Sequence, residues 1–212
     1  LEVVRMAQKV DIYNHERRHR NLRAKLEQGI NNMCDGVVKL PNQMTGGAET
    51  ISLQNAQLIL DFDTACSLQG LGKSRRIRYM EICLQFALHL HKNFAQWNEE
   101  DIKQVFLWIE ERNNPWTKQI YKVILKKLVK YVANPQQYLV NDEYPNSVKW
   151  IKIHVKKKDK PTISRDQLLT EEEILRGIQA AEDPRDKALF ALQTETGCRV
   201  GELANMQVKD FI

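Results

Sequence analysis

Apolar residues recur along this chain at helical spacing, in blocks separated by short runs of glycine, proline and small polar residues. Leu22, Leu26, Ile30 and Met33 stand four, four and three residues apart, which lines them along one face of a helix from about His15 to Met33. The stretch Leu40 to Thr50, LPNQMTGGAET, then reads as a linker. From Ser52 to Val132 the pattern predicts four helices. The first carries Leu53, Ala56, Ile59, Leu60 and Asp63 on to Cys66 and closes at Gly70 and Gly72. The second starts near Ser74 and buries Ile77, Met80, Cys83, Leu84, Ala87 and Leu90. The third is capped by Asn98, has Glu99, Glu100 and Asp101 in its first turn, and buries Ile102, Val105, Phe106 and Ile109. The fourth follows Pro115, buries Ile120, Val123, Ile124, Leu128 and Val132, and ends before Pro135.

Beyond Asn146 the period is lost. Lys149 to Val155 alternates imperfectly, and the lysines that follow, with Pro161, predict an irregular tether up to Leu168. Helix signals then return. Thr170 and Glu173 have the spacing of a capping box for a helix through Ile174, Leu175 and Ile178. Asp183 and Pro184 open another, with Ala188, Leu189, Ala191 and Leu192, that stops at Gly197. The expected organisation is mainly α: an N-terminal helix and linker over 1–50, a four-helix domain over 51–145, a basic linker over 146–168, and the start of a further domain over 169–212.

Charge changes this picture only in its distribution. The net charge of the 212 residues is +5, yet residues 146–168 alone hold seven basic and two acidic groups, and that asymmetry suggests a polyanionic partner. On the fourth helix Lys118, Lys122, Lys126 and Lys130 follow one another at intervals of four, a stripe roughly 18 Å long with no acidic residue among them. Like charges at that spacing repel, so a counter-charge is expected. Lys73, Arg75, Arg76 and Arg78 open the second helix, and Lys149, Lys152, Lys156, Lys157 and Lys158 line the linker. Together these thirteen side chains are candidate contacts to the phosphate backbone of duplex DNA. A solvated surface is the plainer alternative, since lysine is common on exposed helix faces. The arginines of the first helix, Arg17, Arg18, Arg20 and Arg23, fit DNA, a partner subunit or a wet structural face.

No apolar run is long enough for a membrane span or a signal-peptide core, so the reading is a soluble, cytoplasmic protein. Cys34, Cys66, Cys83 and Cys198 are far apart and lack CxxC spacing, which fits reduced thiols better than disulfides or zinc. No metal site is expected.

The one specific motif is TGCRVGEL, Thr196 to Leu203, within the segment Leu169 to Phe211. Glycine, arginine and glutamate stand at the spacing found at the start of the catalytic domain of the tyrosine recombinases, or phage integrase family, which this segment resembles. The preceding four helices resemble, more loosely, the family's SAM-like core-binding domain. The resemblance covers roughly residues 52 to 212. It implies DNA cleavage and rejoining through a 3′-phosphotyrosyl intermediate, in a mixed α/β catalytic domain, with no metal or nucleotide cofactor and with self-association on double-stranded DNA as a tetramer. It makes Arg199 the first catalytic arginine and Glu202 its support. A planar guanidinium suits the role because it donates to two non-bridging phosphate oxygens at once and stays charged at any working pH. The family's other catalytic residues all follow this arginine, whereas Tyr13, Tyr79, Tyr121, Tyr131, Tyr138 and Tyr144 all precede Arg199. None of them matches the nucleophile. The HERR at His15 to Arg18 and the lysine at Lys209 are likewise misplaced for the family's His-x-x-Arg and hairpin lysine. The expectation is therefore a DNA-binding portion of a recombinase whose parent chain continues past Ile212 and which cannot cleave alone. A non-catalytic DNA-binding or regulatory protein, and a helical protein-interaction module, stand as alternatives.

Overall fold

The fold comes from a computed structural model, which describes residues 11, 13–33, 35–40, 49–112, 114–154 and 165–207. It is mainly helical. Residues 15–160 form one unit, and most of the remainder, including 165–207, forms a second.

In the larger unit α1 (His15–Asn31) is followed by an antiparallel strand pair, β1 (Val37–Leu40) and β2 (Glu49–Ser52). Val38 lies opposite Ile51 in the register, and both are buried, as is Leu26 of α1. These alternate positions of the pair face the core, as a two-residue side-chain period requires. The helix comes so close to the strand that a Cβ on Gly29 would stand 2.6 Å from Cγ1 of Val38. The two ends of the expected linker, at Leu40 and at 49–50, thus belong to strands, while 41–48 lie outside the described residues. The boundary expected at residue 50 does not exist in the packing, because α1 and the strands share the core of the helices that follow. Met33, placed on the buried stripe by its spacing, is exposed.

The four expected helices are α2 (Leu53–Leu68), α3 (Lys73–Leu90), α4 (Glu99–Glu110) and α5 (Pro115–Ala133). Ser52 caps α2 by accepting from the backbone N–H of Asn55. α2 is the central helix, buried on most of its circumference by Ala56, Ile59, Leu60, Phe62, Ala65 and Cys66. Gly70 takes the left-handed conformation at φ +74° that ends it, but Gly72 does not: it sits at φ −63° as the residue before α3. Asn98 and Asp101 form a reciprocal capping box on α4, and Asp101 also accepts from Nζ of Lys92 at 2.6 Å. Buried Asn55 ties the α3–α4 connection to α2, donating to the Lys92 carbonyl at 3.0 Å and accepting from the Phe94 N–H at 2.9 Å.

On α5 the buried face is rotated from its expected position. Tyr121, Ile124, Leu125 and Leu128 are buried, whereas Ile120 is 41% exposed. The tether is corrected as well: Asn146–Lys149 is a turn of helix, α6, whose Val148 is buried along with Ile151 just beyond it. Residues 155–164 lie outside the described residues.

In the second unit α7 (Glu171–Ala180) carries the Thr170–Glu173 capping box, and α8 (Pro184–Thr196) is capped by Asp183. Gly197 ends α8 at φ +65°, and α9 (Val200–Leu203) follows. Leu203 is buried, while Leu175 and Phe190 of α7 and α8 are exposed. Among the described residues no helix is long and apolar enough to cross a membrane.

Candidate nucleic-acid interface and the Arg199 turn

The thirteen candidate cations separate by what surrounds them. Arg76 points inward. Its Nε and Nη2 donate to the two carboxylate oxygens of Asp63 at 2.8 and 2.6 Å, and its Nη1 donates to Ser67 Oγ at 2.8 Å. Asp63, fully buried on α2, also accepts from Nη1 of Arg23 at 2.6 Å and Nε2 of His19 at 3.0 Å. Burial alone would push this carboxyl up, but the donors Arg76, His19 and Arg23 outweigh it and leave it below its ordinary value. Arg76 is therefore corrected from a DNA contact to a clamp joining α1, α2 and α3. Arg23 serves the same clamp.

Lys126 is corrected likewise. It is buried, its ammonium donates to the Ile151 carbonyl at 3.3 Å, and it lies 4.5 Å from the ring centre of Tyr144. The counter-charge expected for the α5 stripe comes from α4. Glu110 pairs with Lys118 at 3.4 Å and closely with Lys122, so those two ammoniums are already half satisfied. Burial acts against the Glu110 carboxylate, and the two lysines overcome it and lower its pKa. Lys73 pairs with Glu16, and Arg78 approaches Glu81 at 3.7 Å.

Three cations without an ion pair among the described residues, Arg75, Lys127 and Lys130, lie together where α3 and α5 meet. Lys127 stands 5.5 Å from the ring centre of Tyr79, and Lys130 stands 5.2 Å from that of Tyr138 and 5.7 Å from that of Tyr144. Aromatic faces hold these ammoniums in place without neutralising them. Burial, and then the like charges of Arg75 and Lys130, keep the Lys127 pKa below its ordinary value. Among the described residues no carboxylate forms an ion pair with any of the three, although Glu143 lines the same hollow as Lys130. Lys127 was missed in the sequence because it falls outside the every-fourth-residue row; its signal was its place three residues before Lys130. Exposed Lys149, the last residue of α6, and Lys152 just beyond it are also without ion pairs among the described residues. Lys156, Lys157 and Lys158 lie outside the described residues.

In the second unit, Gly197 lets the chain turn out of α8, and Arg199 takes extended geometry at φ −71° just ahead of α9. Its backbone N–H donates to Oε2 of Glu202 at 2.7 Å. The guanidinium is 90% exposed and reaches Oε1 of Glu202 only at 3.8 Å, with no hydrogen bond. Glu202 thus fixes the backbone of the turn rather than the orientation of the side chain. No model of a known protein family matches the chain, and no curated protein or solved structure matches it. Among the described residues no cluster of three or more His, Cys, Asp or Glu side chains is arranged to hold a metal ion.

Proposed function

We propose that this chain is the duplex-DNA-binding portion of an integrase-type tyrosine recombinase, acting in the cytoplasm and assembling on its DNA. The observation that carries the DNA reading is the Arg75–Lys127–Lys130 patch, three neighbouring cations from two helices that form no ion pair among the described residues. Holding like charges together has a free-energy cost that a phosphate backbone removes, with release of its counterions. The four helices α2–α5 and the turn Thr196 to Leu203 support the family assignment. Gly197 puts Arg199 at a helix start, where its free donors can meet a phosphate and stabilise the charge that develops during strand transfer. Tyr79, Tyr121, Tyr131 and Tyr138 are buried, and exposed Tyr13 and half-buried Tyr144 precede Arg199, whereas the family's nucleophile follows it. The proposal therefore assigns this chain the task of holding DNA and places no nucleophile within it.

A second reading is favoured by one observation. The nearly complete exposure of Arg199, with no group orienting its guanidinium, suits a non-catalytic DNA-binding protein built on the same scaffold. Salt titration of duplex affinity tests the shared claim. Arg75→Gln, Lys127→Gln and Lys130→Gln should each weaken binding and each lower the slope of log K against log salt by about 0.9. Unchanged slopes would remove the patch from any DNA interface. Adding Arg199→Ala to a strand-cleavage assay of the complete reading frame separates the two readings. The recombinase reading expects cleavage to fall by about 10²–10³ while binding is retained.

A further inference from the structure

The rim of α6 presents an aromatic side chain that neither the core nor the basic patch uses. Trp150 is 45% exposed, although the residues on either side of it in the core pattern, Val148 and Ile151, are buried. The indole is held in place from two directions. Its Nε1–H donates to the Ser147 carbonyl at 2.7 Å, and the ring packs edge-to-face on Phe106 of α4 with centroids 4.8 Å apart. Lys122 in turn stands 5.0 Å from the centre of the Phe106 ring. Exposed Lys149 and Lys152 bracket Trp150 in sequence, and neither forms an ion pair among the described residues.

An exposed indole with its rotamer already set loses little entropy on stacking, and cations beside it provide for the phosphates on either side of a stacked base. A base inside an intact duplex has its faces covered by its neighbours. An unpaired base does not. We infer that Trp150, with Lys149 and Lys152, forms a stacking platform for an unpaired base in DNA bound to this face. The inference rests on the DNA reading above and adds the state of the DNA it prefers. Tryptophan beside lysine also occurs where proteins meet membranes, but insertion there needs a broad apolar face, and here a single ring stands among cations.

The test uses the 212-residue chain and two duplexes of equal length, one fully paired and one with a single unpaired 2-aminopurine in a central bulge. The native chain should bind the bulged duplex about tenfold more tightly and quench the 2-aminopurine fluorescence. Trp150→Leu should abolish both the quench and the preference while leaving affinity for the paired duplex within twofold. Trp150→Phe, which keeps a ring against Phe106, should retain part of each and guards against a folding artefact. Lys149→Gln with Lys152→Gln should weaken binding to both probes. If Trp150→Leu keeps the full preference for the bulge, the platform is wrong, and the DNA reading survives as long as Arg75→Gln and Lys127→Gln still weaken binding to the paired duplex. If the native chain binds neither duplex, both fall. Trp150-dependent binding to vesicles of anionic phospholipid without any preference for the bulge would also overturn the platform.

Discussion

Arg75 and Arg76 are neighbours in the chain and about 100° apart on α3, and the structure gives them opposite tasks. Replacing Asp63 by alanine is the sharpest perturbation of that arrangement. The carboxylate accepts from three side chains at 2.6–3.1 Å and has no exposed surface. Its removal would leave Arg76 and His19 without their carboxylate and Arg23 with only Glu27, at 3.5 Å, as counter-charge. Removing one partner of a buried ion pair typically destabilises by about 3–5 kcal/mol, a large part of the roughly 5–15 kcal/mol that holds a domain folded. With a urea dependence of about 2 kcal/mol per molar, the unfolding midpoint should fall by about 2 M. Arg76→Met should cost about 2–3 kcal/mol, because Asp63 keeps Arg23 and His19. Arg75→Met, at an exposed and unpaired position, should change stability by less than about 0.5 kcal/mol. The pH dependence has a definite sign. The folded-state pKa of Asp63 lies below the ordinary 3.8, so its stabilisation is complete above that value and is lost as the pH falls through the lower folded value. Asp63→Asn should therefore flatten the acid limb of the stability curve. A loss under about 1 kcal/mol for Asp63→Ala, or equal losses for Arg75→Met and Arg76→Met, would refute the clamp.

Other expectations are simpler to check. Gly29→Ala forces a Cβ against Val38 and should lower stability by about 1–3 kcal/mol in urea unfolding, whereas Gly177→Ala on α7 meets nothing within 4 Å and should raise local helix stability by a few tenths to about 1 kcal/mol, read by hydrogen exchange. Burial pushes the Cys66 thiol up to about 11 and holds the fully buried Cys83 thiol well above its ordinary value, so maleimide should modify neither until the chain unfolds. Modification of either in the native state would show that the α2–α3 core opens more readily than its packing implies. Glu110→Gln leaves Lys118 and Lys122 facing each other, and should reduce stability by no more than about 1 kcal/mol while steepening the salt dependence of duplex binding.

Local chemistry carried most of the helical architecture in the sequence. Ser52, Asn98, Thr170 and Asp183 are caps wherever they precede an apolar period, and Gly197 ends α8 in the left-handed conformation that its lack of Cβ permits. These signals act over three or four residues, so no distant partner is needed to read them. The turn that presents Arg199 was legible for the same reason, though the looseness of its guanidinium was not. Tertiary packing decided the rest. The β1–β2 pair depends on a register across residues far apart in the chain, with Val38 and Ile51 meeting only because α1 covers them. The every-fourth-residue lysine row on α5 became three different environments, because Glu110 beside Lys118 and Lys122, the Ile151 carbonyl beside Lys126 and the rings of Tyr138 and Tyr144 beside Lys130 come from other elements. Whether a charged side chain stays free for a ligand depends on which opposite charge the fold brings within 4 Å of it. Helical periodicity sets the direction in which a residue points, and an acid such as Asp63, thirteen residues from Arg76, determines whether anything there neutralises it.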